Sequence, residues 1–411
     1  MSLQEITKES FQEFLNQVPT ASFMQSLAMA KLLEKRGAQV RFLGFYQEDQ
    51  LKVAALAFCN AIAGGLRMEI NCGPIHINED ALPDFYQELT AYAKKEGVLE
   101  LIVKPYDTYQ TFDSDGEVCT PERGRLLSML TDVGFRHDGL HTGYPGGEPD
   151  WHYVKDLTDL SAPTLLGSFS KRGKALLKKA NRFGIVLRKL KREELAAFKD
   201  ITEATSDRRE YDDKSLDYYQ DFYDAFGEEA EFMVATLHFG DYLANLEADQ
   251  AVLADKMAGL EAALLENPGA TKKANQLREL TSQFETFEVR KAEAREWIAQ
   301  YGDQEVILAG SLFLYTDKEA TYLFSGSYPA FNKFYAPALL QEYVMQEAIR
   351  RGLTFYNFLG IMGIFDGSDG VLRFKQNFNG YIVRKMGTFR YYPNPIKHQV
   401  LHFIKKVTGR L

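Results

Sequence analysis

The sequence has few cysteine, histidine and tryptophan residues. Its 411 residues include three cysteines, seven histidines and two tryptophans. Cys59, Cys72 and Cys119 form an odd, widely spaced set, which argues against a disulfide framework and against a zinc site. We expect each to be a reduced thiol that packs as a small buried residue. The scattered histidines show no metal-ligand spacing, so no metal site is predicted.

Long hydrophobic runs and several enzyme motifs are also missing. No segment is apolar enough to predict a membrane span, and residues 1–6 lack the basic start and apolar run of a signal peptide. The expected location is therefore the cytoplasm. The chain contains no Gly-x-Ser-x-Gly, His-Glu-x-x-His or Cys-x-x-Cys motif. Hydrolases that depend on those motifs are unsupported.

Charge is unevenly distributed along the chain. The formal net charge of −9 argues against a general nucleic-acid coat, because such binding depends mostly on neutralising phosphates. Residues 171–192 nevertheless contain ten basic residues and no acidic one. This stretch predicts a basic helix, which is either an ordinary solvated face or a phosphate-binding surface. The candidate phosphate contacts are Lys171, Arg172, Lys174, Lys178 and Lys179.

Two long amphipathic segments occupy residues 241–299. Apolar residues recur at spacings of four and three on both sides of the turn at residues 267–270, which contains Pro268 and Gly269. This predicts an antiparallel two-helix coiled coil, with arms about 35 Å long at a helical rise of ~1.5 Å per residue. We expect the pair to project from the body; the alternative is a helical pair folded against a core. The predicted seam consists of Leu246, Gln250, Leu253, Met257, Leu260 and Leu264 in the first helix, and Leu277, Leu280, Phe284, Phe287, Ala294 and Ile298 in the second.

Helices and strands alternate through the rest of the chain in two similar runs. We predict an α/β (α+β) fold with a first domain at residues 1–158 and a second at 159–240 and 300–391, split by the coiled coil. The C-terminal segment, residues 392–411, is basic and amphipathic. We expect it to pack back on the first domain, and contact with an anionic membrane is its alternative role.

Two segments near the second domain are candidates for chemistry. A glycine-rich loop at residues 360–370 is followed, at 372–380, by alternating aromatic and cationic residues. Taken alone, these would be a flexible loop and a half-buried strand with exposed charges. A mixed charge cluster at residues 207–219 would be solvated surface between two helices.

Six short segments are informative in their order along the chain: residues 22–26, 129–135, 170–172, 322–327, 332–337 and 370–380. With the coiled-coil insertion, this order resembles the Fem family of peptidoglycan-bridge aminoacyltransferases, and within it the streptococcal MurM/MurN branch. The resemblance covers nearly the whole chain. It implies two acetyltransferase-like (GNAT-like) domains that need no cofactor. It also implies transfer of a small amino acid, alanine or else serine or glycine, from aminoacyl-tRNA to the stem-peptide lysine or existing branch of a lipid-linked peptidoglycan precursor.

Functional residues are implied by the same resemblance. Phe374 and Lys375 match a pair whose lysine stabilises the tetrahedral intermediate, and this role is chemically sensible because aminolysis of an ester places negative charge on the former carbonyl oxygen. The basic helix would bind tRNA. No general base is identified.

The precursor diphosphate and sugar would be bound by Lys214 and Tyr218, with Arg209 nearby. The family's early lysine is replaced by Leu33, so Lys31, Lys35 or Arg36 would substitute for it.

Two other functions are compatible with the sequence. One is an acetyl-CoA-dependent N-acyltransferase, although its usual pyrophosphate loop is missing; binding of acetyl-CoA would favour it. The other is a non-catalytic RNA-binding or coiled-coil adaptor, for which Lys375→Ala would change no activity.

Overall fold

A computed structural model describes residues 1–209 and 212–407, except for the side chains of residues 209, 402 and 405–407. In the first part of the chain the elements are β1 (Ser2–Glu5), α1 (Lys8–Gln17), α2 (Leu27–Lys35), β2 (Gln39–Gln47), β3 (Gln50–Ile62), β4 (Gly65–Asn71), β5 (Ile75–His76), α3 (Leu82–Lys95), β6 (Val98–Lys104), β7 (Thr108–Phe112), α4 (Gly124–Thr131), β8 (Arg136–His137) and β9 (Trp151–Asp156). In the remainder they are α5 (Ala162–Leu165), α6 (Lys171–Ala180), β10 (Val186–Lys189), α7 (Leu195–Arg209), α8 (Leu216–Phe226), β11 (Ala230–His238), α9 (Phe239–Glu266), α10 (Thr271–Tyr301), β12 (Glu305–Tyr315), β13 (Ala320–Ser327), α11 (Ala336–Arg350), β14 (Phe355–Ile361), α12 (Gly370–Lys375), β15 (Tyr381–Lys385), β16 (Phe389–Tyr391) and α13 (Pro395–Val407).

Two eight-stranded sheets form the body, and they share one plan. Sheet A has the order β1-β2-β3-β4-β6-β16-β8, with β5 also paired to β3, and sheet B has the order β10-β11-β12-β13-β14-β9-β15-β7. Each begins as an antiparallel meander of four strands and continues through one parallel pair, β4 with β6 in sheet A and β13 with β14 in sheet B. The predicted mixed α/β fold with two similar units is therefore present.

Strand pairing does not follow the predicted boundary at residue 158. Strands β7 and β9 precede that residue but pair with β15 and β14 in sheet B. Strand β16 lies far beyond it and pairs with β6 in sheet A. Each sheet therefore takes strands from both sides of residue 158, and the predicted domain ranges stay a prediction. Local sequence patterns cannot predict such pairings, since the partners are distant in the chain.

Helices α9 and α10 form the predicted antiparallel hairpin, joined through residues 267–270. Its seam is buried near the root and half-buried toward the tip, where nearly all other residues are exposed, as a projecting arm requires. The seam position between Phe287 and Ala294 is filled by Lys291, which is 9% exposed. Its Nζ donates to Gln250 Oε1 at 2.6 Å and pairs with Glu288 at 2.9 Å. One polar layer therefore interrupts the apolar seam.

Aromatic side chains fix the root of the arm to the body. The Phe239 ring stacks on Trp297 with a centroid distance of 5.8 Å, and Trp297 meets Phe331 edge-on at 5.3 Å. Tyr242 packs edge-on against Phe334 at 5.5 Å. These rings belong to the core of sheet B, so the root is part of that core while the outer arm packs on itself.

The cysteines and the helices agree with most of what the sequence predicts for them. The three cysteines are free thiols, but only Cys59 is fully buried and Cys119 is exposed, which corrects the expectation for Cys119. Among the described residues, no helix combines the length and the apolar character needed to cross a bilayer.

The first turn of the basic helix α6 is fixed to the segment that follows α12. The Asn377 carbonyl oxygen accepts hydrogen bonds from Ser170 N and from Ser170 Oγ, each at 3.1 Å. Ser170 Oγ in turn caps the helix by accepting from Gly173 N at 3.1 Å. The approach is so close that a Cβ at Gly173 would lie 1.9 Å from the Asn377 carbonyl oxygen. Only glycine fits at this crossing.

We predict that Gly173→Ala lowers the free energy of unfolding by at least 1–3 kcal/mol, roughly the cost of overpacking a buried site. The methyl group would push α6 away from Asn377. Denaturant unfolding of both proteins measures the difference. Gly167→Ala is the matched control, because a Cβ at Gly167 would meet no atom within 4 Å. Equal midpoints for Gly173→Ala and the parent protein would contradict the predicted clash.

Candidate active site

Residues 370–378 are helical, which corrects the half-buried strand considered for this segment. Helix α12 is followed by a 3-10 turn at Gln376–Phe378. Asp369 initiates the helix, because its Oδ1 accepts from Val371 N at 2.8 Å and from Leu372 N at 3.2 Å. Helical geometry directs Lys375 inward, where it is only 3% exposed. The alternation of aromatic and cationic residues therefore reflects two helical faces.

The Lys375 ammonium group contacts three consecutive carbonyl groups of β14. Its Nζ donates to the backbone oxygens of Phe358 at 2.7 Å, Leu359 at 3.0 Å and Gly360 at 2.6 Å. These oxygens converge because β14 is bulged: its register with β9 shifts between Asn357 and Gly360, and Leu359 has a φ of 56°. Positive φ is rare for a leucine and marks a locally strained backbone. A buried cation thus lies under a strained strand.

Phe374 supports this arrangement from the side. Its ring is half-buried and meets the Phe378 ring edge-on at 5.5 Å. Phe378 is fully buried and stacks on Phe358, with a centroid distance of 5.5 Å. Of the predicted catalytic pair, Phe374 therefore packs between α12 and β14, and Lys375 carries the charge.

A cleft of about 300 Å³ lies between sheet A and helices α2 and α8. It unites Arg36 and Tyr218, two of the predicted substrate-binding residues, with Leu33. The Arg36 guanidinium lies 5.3 Å from the centre of the Tyr218 ring, and the Lys214 ammonium lies 5.5 Å from it. Lys214 is exposed. The cleft is lined by Met24, Met29, Leu32, Leu33, Arg36, Ala38, Leu56, Phe58, Asn60, Asn71 and Tyr218.

Lys35 and Arg36 are already paired with carboxylates of α8. Asp221 contacts Arg36 at 3.0 Å and Lys35 at 2.9 Å, and Asp224 contacts Lys35 at 3.1 Å. Asp224 also accepts from Arg192 at 2.7 Å. These cations hold the pKa values of both aspartates below their usual range. The sequence did not reveal these acidic partners, which partly neutralise the predicted phosphate site.

The loop that carries Lys214 is held by Asp213. Its carboxylate accepts from Tyr219 OH at 2.7 Å, Thr202 Oγ1 at 2.8 Å and Lys199 Nζ at 2.9 Å. Arg209 ends α7, and its side chain lies outside the described part of the structure. Asp213 thus positions Lys214 and the start of α8 beside the cleft.

Charged residues connect the cleft with the strained strand. Asn71, at the end of β4, lines the cleft, and two residues earlier Glu69 lies 3.9 Å from Lys104. Lys104 Nζ also donates to Glu148 at 2.7 Å. The neighbouring Pro149 packs against Gly360, where a Cβ would come within 2.8 Å of its ring. Lys104 therefore links β4, next to the cleft, with the segment that packs against the bulge of β14.

The basic helix α6 presents its cations to solvent. All five predicted tRNA contacts are exposed, and within the described residues none forms a salt bridge with a carboxylate. Lys179 donates to Tyr335 OH at 3.3 Å. The first turn of α6 is bonded to Asn377, and Asn377 follows Lys375 by two residues in the chain. The basic surface is therefore attached to the segment that carries Lys375. The five are Lys171, Arg172, Lys174, Lys178 and Lys179.

A sequence model of the FemAB family matches residues 6–406. The chain belongs to the FemAB family. The similar curated proteins include the aminoacyltransferase FemA of Staphylococcus aureus strain MRSA252, which is 26% identical over 421 residues that cover all of both chains, and that of strain N315 with the same identity and coverage. The predicted family and the predicted enzyme class, an aminoacyltransferase, are confirmed. Placement in the MurM/MurN branch stays a prediction.

Solved structures confirm the fold of this FemAB protein. The crystal structure of FemX matches with a TM-score of 0.75 at 20% identity, covering 97% of this chain and 99% of that chain. A tandem GNAT protein from the clavulanic acid biosynthesis pathway matches with a TM-score of 0.50 at 8% identity, covering 96% of this chain and 99% of that one. Two acetyltransferase-like units are therefore the correct description of the body.

This FemAB chain also contains a buried polar network that its sequence did not predict. Tyr106 OH donates to Glu319 Oε2 at 2.7 Å and accepts from Asn357 Nδ2 at 2.9 Å. Asn357 Nδ2 lies 3.3 Å from His152 Nδ1, and Asn357 Oδ1 accepts from the backbone N of the strained Leu359 at 2.8 Å. The network therefore supports the bulge whose carbonyls contact Lys375. Its members come from four separate segments with no common spacing, so no sequence motif could have shown it.

Burial changes the protonation of this network. It raises the pKa of Glu319 to about 7. Burial, together with the positive charges of Lys385 and Lys375, lowers the pKa of His152 to about 3, so His152 is neutral. Glu319 is thus the member whose charge changes near neutral pH.

We predict that Glu319→Gln changes the pH dependence of stability. The folded carboxyl binds its proton more tightly than the unfolded one, so the stability it contributes is present below pH 4.5 and is lost as the pH rises to about 7. The free energy of unfolding of the parent protein, relative to the variant, should fall by up to about 3 kcal/mol between pH 4.5 and 8. Denaturant unfolding across this range measures it.

Glu266→Gln is the control, because Glu266 is an exposed carboxylate at the end of α9. It should leave the slope unchanged. Parallel curves for the parent protein and Glu319→Gln would show that Glu319 titrates as it does in the unfolded chain.

Proposed function

We propose that the protein transfers a small amino acid from aminoacyl-tRNA to an amino group of a lipid-linked peptidoglycan precursor, and so builds the bridge between stem peptides. Alanine is the first candidate, followed by serine and glycine. The observation that carries the proposal is the buried ammonium group of Lys375 in a FemAB chain, beside a helix whose exposed cations form no salt bridge with any carboxylate of the described residues. No cofactor is needed, because the tRNA ester is already activated.

The reaction is aminolysis of an ester. The acceptor amine, once deprotonated, attacks the carbonyl carbon and forms a tetrahedral intermediate with a negatively charged oxygen. The new C–N bond stays, the bond to the tRNA ribose oxygen breaks, and that oxygen leaves with a proton. Lys375 supplies a fixed positive charge for the oxyanion, and one such group contributes about 3 kcal/mol to catalysis. Holding the two substrates together contributes much of the remainder.

Each substrate has a surface of suitable chemistry. The cleft with Arg36, Lys214 and Tyr218 offers cations and an aromatic face to a diphosphate and a sugar. The exposed cations of α6 offer a surface to the phosphates of tRNA. In this proposal the enzyme works in the cytoplasm, at the inner face of the membrane.

A transfer assay tests the proposal. Incubation of the protein with a panel of aminoacyl-tRNAs and a lysine-type lipid-linked precursor should give a product heavier by one small amino acid residue. Lys375→Met should lower kcat by about 10²–10³, as expected for loss of an oxyanion donor, and leave precursor affinity nearly unchanged. Mass spectrometry and calorimetry give the two values.

Lys375→Arg separates chemistry from folding. Arginine keeps the charge and can still donate to carbonyls, so the variant should be folded and retain more activity than Lys375→Met. Product from acetyl-CoA but from no aminoacyl-tRNA would overturn the proposal. So would full activity of a folded Lys375→Met variant.

The basic helix has a separate test. We predict that Lys171→Glu with Lys174→Glu and Lys178→Glu weakens tRNA binding at least tenfold and flattens its salt dependence, because fewer phosphates are neutralised. Filter binding at several salt concentrations measures both effects. Lys94→Glu with Lys95→Glu, at the exposed end of α3, is the control for a general change in charge. If both variants lose the same affinity, tRNA is attracted by net charge alone.

A further inference from the structure

Helix α13 presents an apolar face to solvent. Ile396 is 75% exposed, Val400 53% and Phe403 67%. Their spacing of four and three residues places them on one side of the helix. Exposed large apolar residues elsewhere in the described chain are mostly scattered singly, whereas these three lie within two turns. A clustered patch of this kind indicates a surface that is covered in the working protein.

A different face of the same helix is attached to the body. Leu401 lies against the turn between β3 and β4, where a Cβ at Gly64 would come within 2.3 Å of the Leu401 side chain. The His398 ring lies 4.0 Å from the Tyr392 ring. Asn394 caps the helix by accepting from Lys397 N at 3.0 Å. The apolar face is therefore held outward by a helix that is already docked.

The chain segment that ends in this helix carries charge of one sign. After Asp369 the chain contains nine lysines and arginines and no acidic residue, although the whole chain has a net charge of −9. Lys397 is exposed beside the apolar face. An apolar stripe flanked by cations matches the surface of a bilayer with anionic headgroups. Two copies of α13 would bring like charges together, which disfavours a dimer through this face.

The helix also lies near the cleft. Asn60 of β3 lines the cleft, and Gly64, which contacts Leu401, follows four residues later at the turn that ends this hairpin. At roughly 3.3 Å per strand residue, the two points are separated by no more than about 13 Å. A lipid-linked molecule bound in the cleft would thus have its lipid close to α13.

We propose that α13 binds the surface of an anionic membrane by inserting Ile396, Val400 and Phe403 among the headgroups while Lys397 contacts lipid phosphates. The proposal extends the proposed function, because an enzyme that acts on a lipid-linked acceptor has to work at a membrane surface. The contact with lipid itself rests only on the helix.

Vesicle flotation tests this proposal with no tRNA or precursor present. The parent protein should bind phosphatidylcholine vesicles that contain phosphatidylglycerol, bind pure phosphatidylcholine vesicles far more weakly, and lose binding as salt is raised. Val400→Ser with Phe403→Ser should weaken binding to the anionic vesicles at least tenfold, since two buried side chains are lost. Val252→Ser with Leu265→Ser, exposed positions on the arm, is the matched control and should bind as the parent does.

Three results would overturn it: no binding to anionic vesicles, equal loss in both double variants, or light scattering that shows a dimer which Val400→Ser with Phe403→Ser converts to a monomer. Transfer to a soluble, nucleotide-linked precursor distinguishes this proposal from the proposed function. Val400→Ser with Phe403→Ser should leave that transfer unchanged and slow only transfer to precursor in vesicles.

Discussion

The contact between the Lys375 ammonium and three consecutive carbonyls holds the candidate active site together. It ties α12 to the bulge of β14, where Leu359 has a strained backbone. The turn that follows α12 fixes the basic helix α6 through the Asn377 carbonyl. The network of Tyr106, Asn357 and Glu319 supports the other side of the bulge. One buried cation thus links the strand, the short helix and the surface proposed for tRNA.

Periodicity predicted the parts of the fold that depend on local pattern. The coiled coil is the best example, because a seam of apolar residues has a spacing that no strand shares. Lys291 was missed since a charged residue does not register as part of an apolar seam, although its partner Gln250 was included. Residues 372–380 were misread because alternation suits a strand, while the cap by Asp369 and the packing of Phe374 select a helix. The pairing of β7, β9 and β16 depends on contacts between distant segments, which local sequence does not encode.

The candidate site residues were named from a family resemblance, and their functional roles stay predictions. Lys375 lies beside a buried strand end, and Arg36 and Tyr218 line the cleft. The resemblance gave their identity but not their environment. Asp221 and Asp224 were invisible as partners because pairing across α2 and α8 is a tertiary contact. Their carboxylates reduce the charge available to a diphosphate, so Lys214, which is exposed and faces Tyr218, gains importance.

The hydrogen bonds that Lys375 makes to backbone carbonyls are compatible with the proposed catalytic role and indicate when it would act. Its Nζ already donates to carbonyls of Phe358, Leu359 and Gly360, so an entering substrate has to displace one of them. The carbonyl oxygen of an ester is neutral and offers no advantage over a backbone carbonyl. An oxyanion does, because the ammonium attracts a full negative charge at short range more strongly than the dipole of a neutral carbonyl. Under the proposed reaction, Lys375 would therefore exchange partners only as negative charge develops. An interaction that forms in the transition state and not in the ground state is the kind that raises kcat.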